Sequence, residues 1–84
     1  MDFQVRYLAR LRDELQCSEE CYSSLQPCNT LEDLISELAA RGELWREALT
    51  DPSVSVAVNK VLVERNSPLN SGDEVAFLPP VTGG

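Results

Sequence analysis

Thr30-Leu31-Glu32-Asp33-Leu34-Ile35-Ser36-Glu37-Leu38 is the stretch on which the fold turns. Thr30 is a good helix N-cap, because its hydroxyl can accept a hydrogen bond from a first-turn N–H, and Asp33 completes a capping-box pattern. Leu31, Leu34, Ile35 and Leu38 then recur at helical spacing and form a single apolar stripe. Gly42 is well placed to stop this helix. A helix with one apolar face needs a surface to bury it against, and the segments on either side read as strands that supply one.

On the N-terminal side, Phe3, Val5 and Tyr7 alternate with Asp2, Gln4 and Arg6, the period of a half-buried strand over Asp2 to Leu8. Ala9 to Leu15 reads as a short helical turn with Leu11 and Leu15 on one face. Glu20 to Leu25 is expected as a second strand, with Cys21, Ser23 and Leu25 on one side, ended by Pro27. On the C-terminal side, Trp45, Ala48 and Leu49 share a face of a shorter helical turn, closed by Asp51-Pro52. Val54, Val56 and Val58 alternate with Ser55, Ala57 and Asn59 as a clear strand, and Asn59-Lys60 turns into Val61-Leu62-Val63. Asn66 to Asp73 is a loop, and Glu74 to Leu78 forms the last strand with Val75 and Phe77 inward. This order predicts an α+β chain: a β-grasp (ubiquitin-like) arrangement, with a mixed sheet packed on one main helix and the first and last strands as parallel central neighbours. Residues 1–84 are expected to be one domain, with 81–84 as a flexible C-terminal tail.

Size and charge exclude several functions. A domain of 84 residues buries only about 60% of its unfolded surface, so a deep pocket and a self-contained active site are not expected. The net charge is −7, from 7 basic against 14 acidic residues, and it repels phosphate backbones and anionic head groups. Neither nucleic acid nor membrane is therefore expected as a partner, and a protein with a basic face is. Without a long apolar run or a charged-then-apolar start, a cytoplasmic location is expected. Cys17, Cys21 and Cys28 are three soft ligands in a chain without histidine, too few for structural zinc, and Cys17 and Cys21 are one residue too far apart for a Cys-X-X-Cys pair. No metal site is expected. No Cys–His or Ser–His pair can form either.

Three apolar residues break the strand parity. Leu8 falls on the polar side of its strand, Leu62 lies between Lys60 and Glu64, and Leu78 shares the outward parity of Glu74 and Ala76. Single exposed leucines are ordinary, but three from separate strands are expected to meet on the open face of the sheet as a docking patch.

The chain ends Pro79-Pro80-Val81-Thr82-Gly83-Gly84. The proline pair ends strand pairing and holds an extended backbone, so the last four residues are expected to project by at most about 14 Å. A frayed terminus explains the glycines but not the stiff pair aiming them. A terminal carboxylate with no side chain beside it can enter a narrow channel, and with a pKa of about 3.5 it is ionised and able to attack an ATP α-phosphate. The acyl-adenylate can then accept sulfur or an amine.

The run Ser71-Gly72-Asp73-Glu74-Val75-Ala76-Phe77-Leu78 followed by that ending resembles the C-terminus of molybdopterin synthase small subunits, in the MoaD/ThiS family of sulfur carriers. The likeness continues through Ala57-Val58-Asn59, Pro68-Leu69, Ala9 and Leu11-Arg12. The resemblance implies a heteromeric sulfur transferase, a heterotetramer in which a large catalytic subunit receives the tail. It implies that Gly84 is adenylated, converted to a thiocarboxylate and donates sulfur to the cyclic pyranopterin precursor in molybdenum cofactor biosynthesis, with Gly83 fitting the channel. It further implies partner contacts at Leu8, Arg12, Leu62, Leu78, Pro79, Pro80, Val81 and Thr82. A ubiquitin-activating-like adenylating enzyme would use ATP in trans, a sulfur donor protein would act indirectly, and no cofactor would be bound by the chain itself. A carrier for thiamine or another thiolated product, a ubiquitin-like protein modifier and an interaction domain with an inert tail stay open as alternatives.

Overall fold

Two alternating strands at opposite ends of the chain build the centre of the sheet. In β1 (Asp2–Tyr7), Phe3, Val5 and Tyr7 are buried, and in β5 (Glu74–Leu78), Val75 and Phe77 are fully buried. The two strands run parallel, with Val5 opposite Val75 and Tyr7 opposite Phe77. In this computed structural model, which describes residues 1–80, they lie within a five-stranded sheet of order β2-β1-β5-β3-β4. The outer strands are β2 (Glu19–Ser23), β3 (Ser55–Val58) and β4 (Val61–Val63), and all their pairings are antiparallel. This is the β-grasp arrangement expected from the element order.

The helix α2 (Leu31–Ala39) covers one sheet face with Leu31, Leu34, Ile35 and Leu38, all buried. Its capping box is formed: the Asp33 N–H donates to Thr30 Oγ1, and the Thr30 N–H donates to Asp33 Oδ2 at 3.1 Å. Leu11 and Leu15 of α1 (Arg10–Leu15) are buried as their spacing requires. The expected short turn around Trp45 is a helix of eight residues, α3 (Glu43–Thr50), and Gly42 serves as its N-cap in the break after α2. At the far end of α3, the Arg65 guanidinium donates to the carbonyls of Leu49 (2.7 Å), Asp51 (3.1 Å) and Val54 (3.0 Å). One cation therefore satisfies the orphan carbonyls at the helix end and the turn into β3.

The second strand lies earlier in the chain than its expected span of Glu20 to Leu25. It starts at Glu19 and ends at Ser23, so Ser24 and Leu25 lie outside it, and Leu25 is 89% exposed. Cys21 and Ser23 face solvent, while Glu20 and Tyr22 face the helices. The apolar signal misplaced this strand because its inward contacts are polar-tipped. Glu20 accepts from Tyr7 Oη (2.8 Å) and from both Arg41 terminal nitrogens (2.7 Å each). Arg41 in turn lies over the rings of Tyr22 and Trp45, at 5.2 and 4.6 Å. This cluster ties the break between α2 and α3 to the sheet edge.

Candidate functional site

Among the described residues the other face of the sheet carries no helix, and its shape follows from residue size at paired positions. Ala57 of β3 lies opposite Ala76 of β5, and these two small side chains sit in one cross-strand row with Arg6 and Leu62. Leu78 of β5 pairs with Ser55 in a row alongside. Leu8 follows β1 directly, and its N–H donates to the Phe77 carbonyl at 3.1 Å, which holds it beside β5. The two alanines form a floor and Leu8, Leu62 and Leu78 rise around it, giving a groove of about 340 Å³. The three leucines that broke strand parity are therefore brought together. Leu62 is 67% exposed, whereas Leu8 and Leu78 are half-buried. Ala57, outward by parity, is buried as part of the floor.

The rim of the groove is charged. Arg6 lies 3.8 Å from Glu74 and 4.0 Å from Glu19, and Lys60 stands at the β3–β4 turn. The strand β5 runs out of the groove wall at Leu78 into half-buried Pro79 and exposed Pro80, so the chain leaves the sheet beside the apolar surface. Arg12 is not brought into the groove: it is exposed on α1 and lies 3.7 Å from Asp13. Val81, Thr82, Gly83 and Gly84 lie outside the described residues.

The cysteines have other surroundings. Cys28 is buried and donates to Glu37 Oε2 at 3.2 Å; burial and this carboxylate push its thiol up to about 11, against nucleophilic use at neutral pH. Burial and nearby Glu20 raise the Cys17 thiol as well. Cys21 is exposed, near Gln4 Oε1 at 3.1 Å. Among the described residues, no three His, Cys, Asp or Glu side chains are grouped to hold a metal ion. A larger hollow of about 510 Å³ lies between Leu25 and Glu37, but the Glu37 carboxylate there is already engaged. Burial alone would raise its pKa, yet bonds from the Leu25 N–H (2.9 Å), Tyr22 Oη (2.7 Å) and Cys28 outweigh it and hold the carboxyl below its usual range. Nothing in the sequence pattern marked Glu37 or Glu20, since each is one acidic residue among many until the fold supplies its donors.

A mixed five-stranded sheet of this order, covered by helices on one face, defines a ubiquitin-like β-grasp domain. The chain belongs to the ThiS family, whose model matches residues 5–84. It is 51% identical over 55 residues to the molybdopterin synthase sulfur carrier subunit of Escherichia coli (strain K12), covering 66% of this chain and 68% of that one. Among solved structures, it resembles a molybdopterin converting factor subunit 1 from Pyrococcus furiosus, with a TM-score of 0.79 and 31% identity over 96% of this chain and 99% of that one. It also matches a chain in the complex of subunits 1 and 2 of the molybdopterin-converting factor from Helicobacter pylori 26695, with a TM-score of 0.69, 27% identity and full coverage of both chains. Among the described residues, no helix is long and apolar enough to cross a membrane.

Proposed function

We propose that this chain is the sulfur-carrying small subunit of a molybdopterin synthase, and that its C-terminal carboxylate is the group that carries the sulfur. The observation that supports this reading best is the placement of an open apolar groove where β5 gives way to Pro79 and Pro80, in a chain of the ThiS family. In the proposed cycle a Gly84 carboxylate oxygen attacks the α-phosphorus of ATP in the active site of an adenylating enzyme, and pyrophosphate leaves. A hydrosulfide-level sulfur nucleophile then attacks the acyl carbon, AMP leaves, and a thiocarboxylate remains. Within the large subunit the thiocarboxylate sulfur displaces an oxygen substituent of the cyclic pyranopterin precursor, and water cleaves the resulting thioester, which leaves the sulfur on the product and restores the carboxylate. The chain supplies no catalytic side chain in this cycle; the raised thiols of Cys17 and Cys28 fit that division of labour.

Incubation with the adenylating enzyme, ATP and a sulfur donor, followed by intact-mass analysis, tests the reading. One oxygen replaced by sulfur at the terminal residue is expected, and a chain unchanged in mass after full ATP turnover overturns it. The groove is tested separately. Leu78→Asp places a charge in its wall and is expected to weaken binding to the large subunit tenfold or more, with the circular dichroism spectrum unchanged. Undiminished binding by the folded variant would remove the groove from the docking surface.

A further inference from the structure

Lys60 is the only lysine of the chain. It occupies the second central position of the two-residue turn joining β3 to β4, with φ at 70°, after Asn59 at 51°. Turns of this hand favour Asn followed by Gly, because glycine alone adopts the left-handed region without a side-chain penalty. Asn59 meets its part of that requirement and has clear work: its side chain donates to Asp73 Oδ1 (3.0 Å) and accepts from the Glu74 N–H (3.0 Å). These bonds pin the turn to the start of β5. Lys60 does neither, and the fold would be better served there by glycine. Its side chain nevertheless lines the rim of the open-face groove beside Leu62. Arg6 on the same rim has Glu19 and Glu74 for company, whereas Lys60 lies within 4.0 Å of no carboxylate among the described residues.

We infer that Lys60 is a specificity contact of the docking surface, which pairs with an acidic side chain on the large subunit and fixes the orientation in which that subunit seats on the groove. The inference rests on the docking role proposed above. The physical case is charge placement. The chain is strongly acidic overall, so long-range attraction favours a basic partner face but does not choose a register on it. A solitary cation on a pinned turn, at the edge of an apolar patch, does choose one: a carboxylate opposite it is favoured, and a misaligned basic residue is repelled. With φ at 70°, this position is one that glycine would fill without penalty, so the turn itself does not call for a lysine.

The test measures binding of the full chain to the large subunit for Lys60→Gly and Lys60→Glu, with Leu62→Asp as a control for the surface. Lys60→Gly relieves the turn, so its thermal midpoint should equal or exceed that of the parent, and lost binding then cannot be lost folding. Binding should weaken several-fold for Lys60→Gly and at least tenfold for Lys60→Glu at low ionic strength. The deficit should shrink at about 0.5 M salt, where exposed charges are screened within a few ångströms. An amine-reactive label should modify Lys60 in the free chain and be excluded from it in the complex. If both Lys60 variants bind as the parent does while Leu62→Asp fails to bind, the contact is refuted and the docking face survives. If Leu62→Asp also binds normally, the docking face itself is refuted and the contact falls with it.

Discussion

A chain ending at Gly83 is expected to fold and dock as the full chain does, yet to lose at least 100-fold in sulfur transfer. One residue of extended backbone spans about 3.3–3.6 Å, so the deletion withdraws the acyl carbon by that distance from any site it reaches in the parent. Reaction needs the attacking and attacked atoms held about 3–3.5 Å apart, and a misplacement of about 1 Å can already cost 10²-fold. The opposite change should be at least as severe. A bulky residue added after Gly84 moves the ionised carboxyl one residue further out, turns the Gly84 carbonyl into an unreactive amide, and places a side chain where the channel must be narrow. Loading is read by intact mass with the adenylating enzyme, ATP and donor, and transfer by product formation with the large subunit. Calorimetric binding of each variant separates a chemical defect from a docking defect. Full activity in the extended variant would mean that Gly84 is not the carrier, whatever the groove binds.

The reach of the sequence differed between the backbone and the polar side chains. Strand parity at Phe3, Val5, Tyr7, Val75 and Phe77 and the stripe from Leu31 to Leu38 were legible because burial of one face leaves a period in the chain. The groove was legible for the same reason in reverse, as apolar residues out of phase at Leu8, Leu62 and Leu78. The floor was not, because Ala57 and Ala76 are too small to signal a face, and only the register sets them side by side. The second strand was misplaced because Glu20 and Tyr22 are its inward residues, and a carboxylate pointing inward carries no apolar period. Arg65 and Arg41 were invisible as single cations: the carbonyls that Arg65 meets, and the Glu20 carboxylate and Tyr22 ring that Arg41 meets, are far away in sequence.

The Glu20 cluster makes the second large prediction, and it concerns stability rather than transfer. Glu20→Ala removes both carboxylate oxygens that accept from Arg41 and leaves the Tyr7 hydroxyl, on a residue only 1% exposed, without an acceptor. A buried donor left unsatisfied costs about 1–3 kcal/mol. The Glu20 and Arg41 side chains are 21% and 32% exposed, so solvent screening keeps the ion pair itself to a modest addition. A total of about 2 kcal/mol corresponds to a fall in thermal midpoint on the order of 10 °C for a domain of this size. The pH dependence follows from two shifts of opposite direction. The Arg41 guanidinium, assisted by Tyr7, outweighs burial and holds the Glu20 carboxyl below its ordinary 4.5. Its contribution is therefore fully present above that value and is lost as pH falls through the lowered folded value. Burial and the bond to Glu20 raise Tyr7 far above its ordinary 10, so its contribution is present below pH 10 and fades above it, as the unfolded phenol ionises first. Urea midpoints measured from pH 2 to 11 should thus fall at both ends for the parent. Glu20→Gln should flatten the acid limb and Tyr7→Phe the alkaline one; parallel curves for all three chains would show that this cluster does not hold the helices to the sheet.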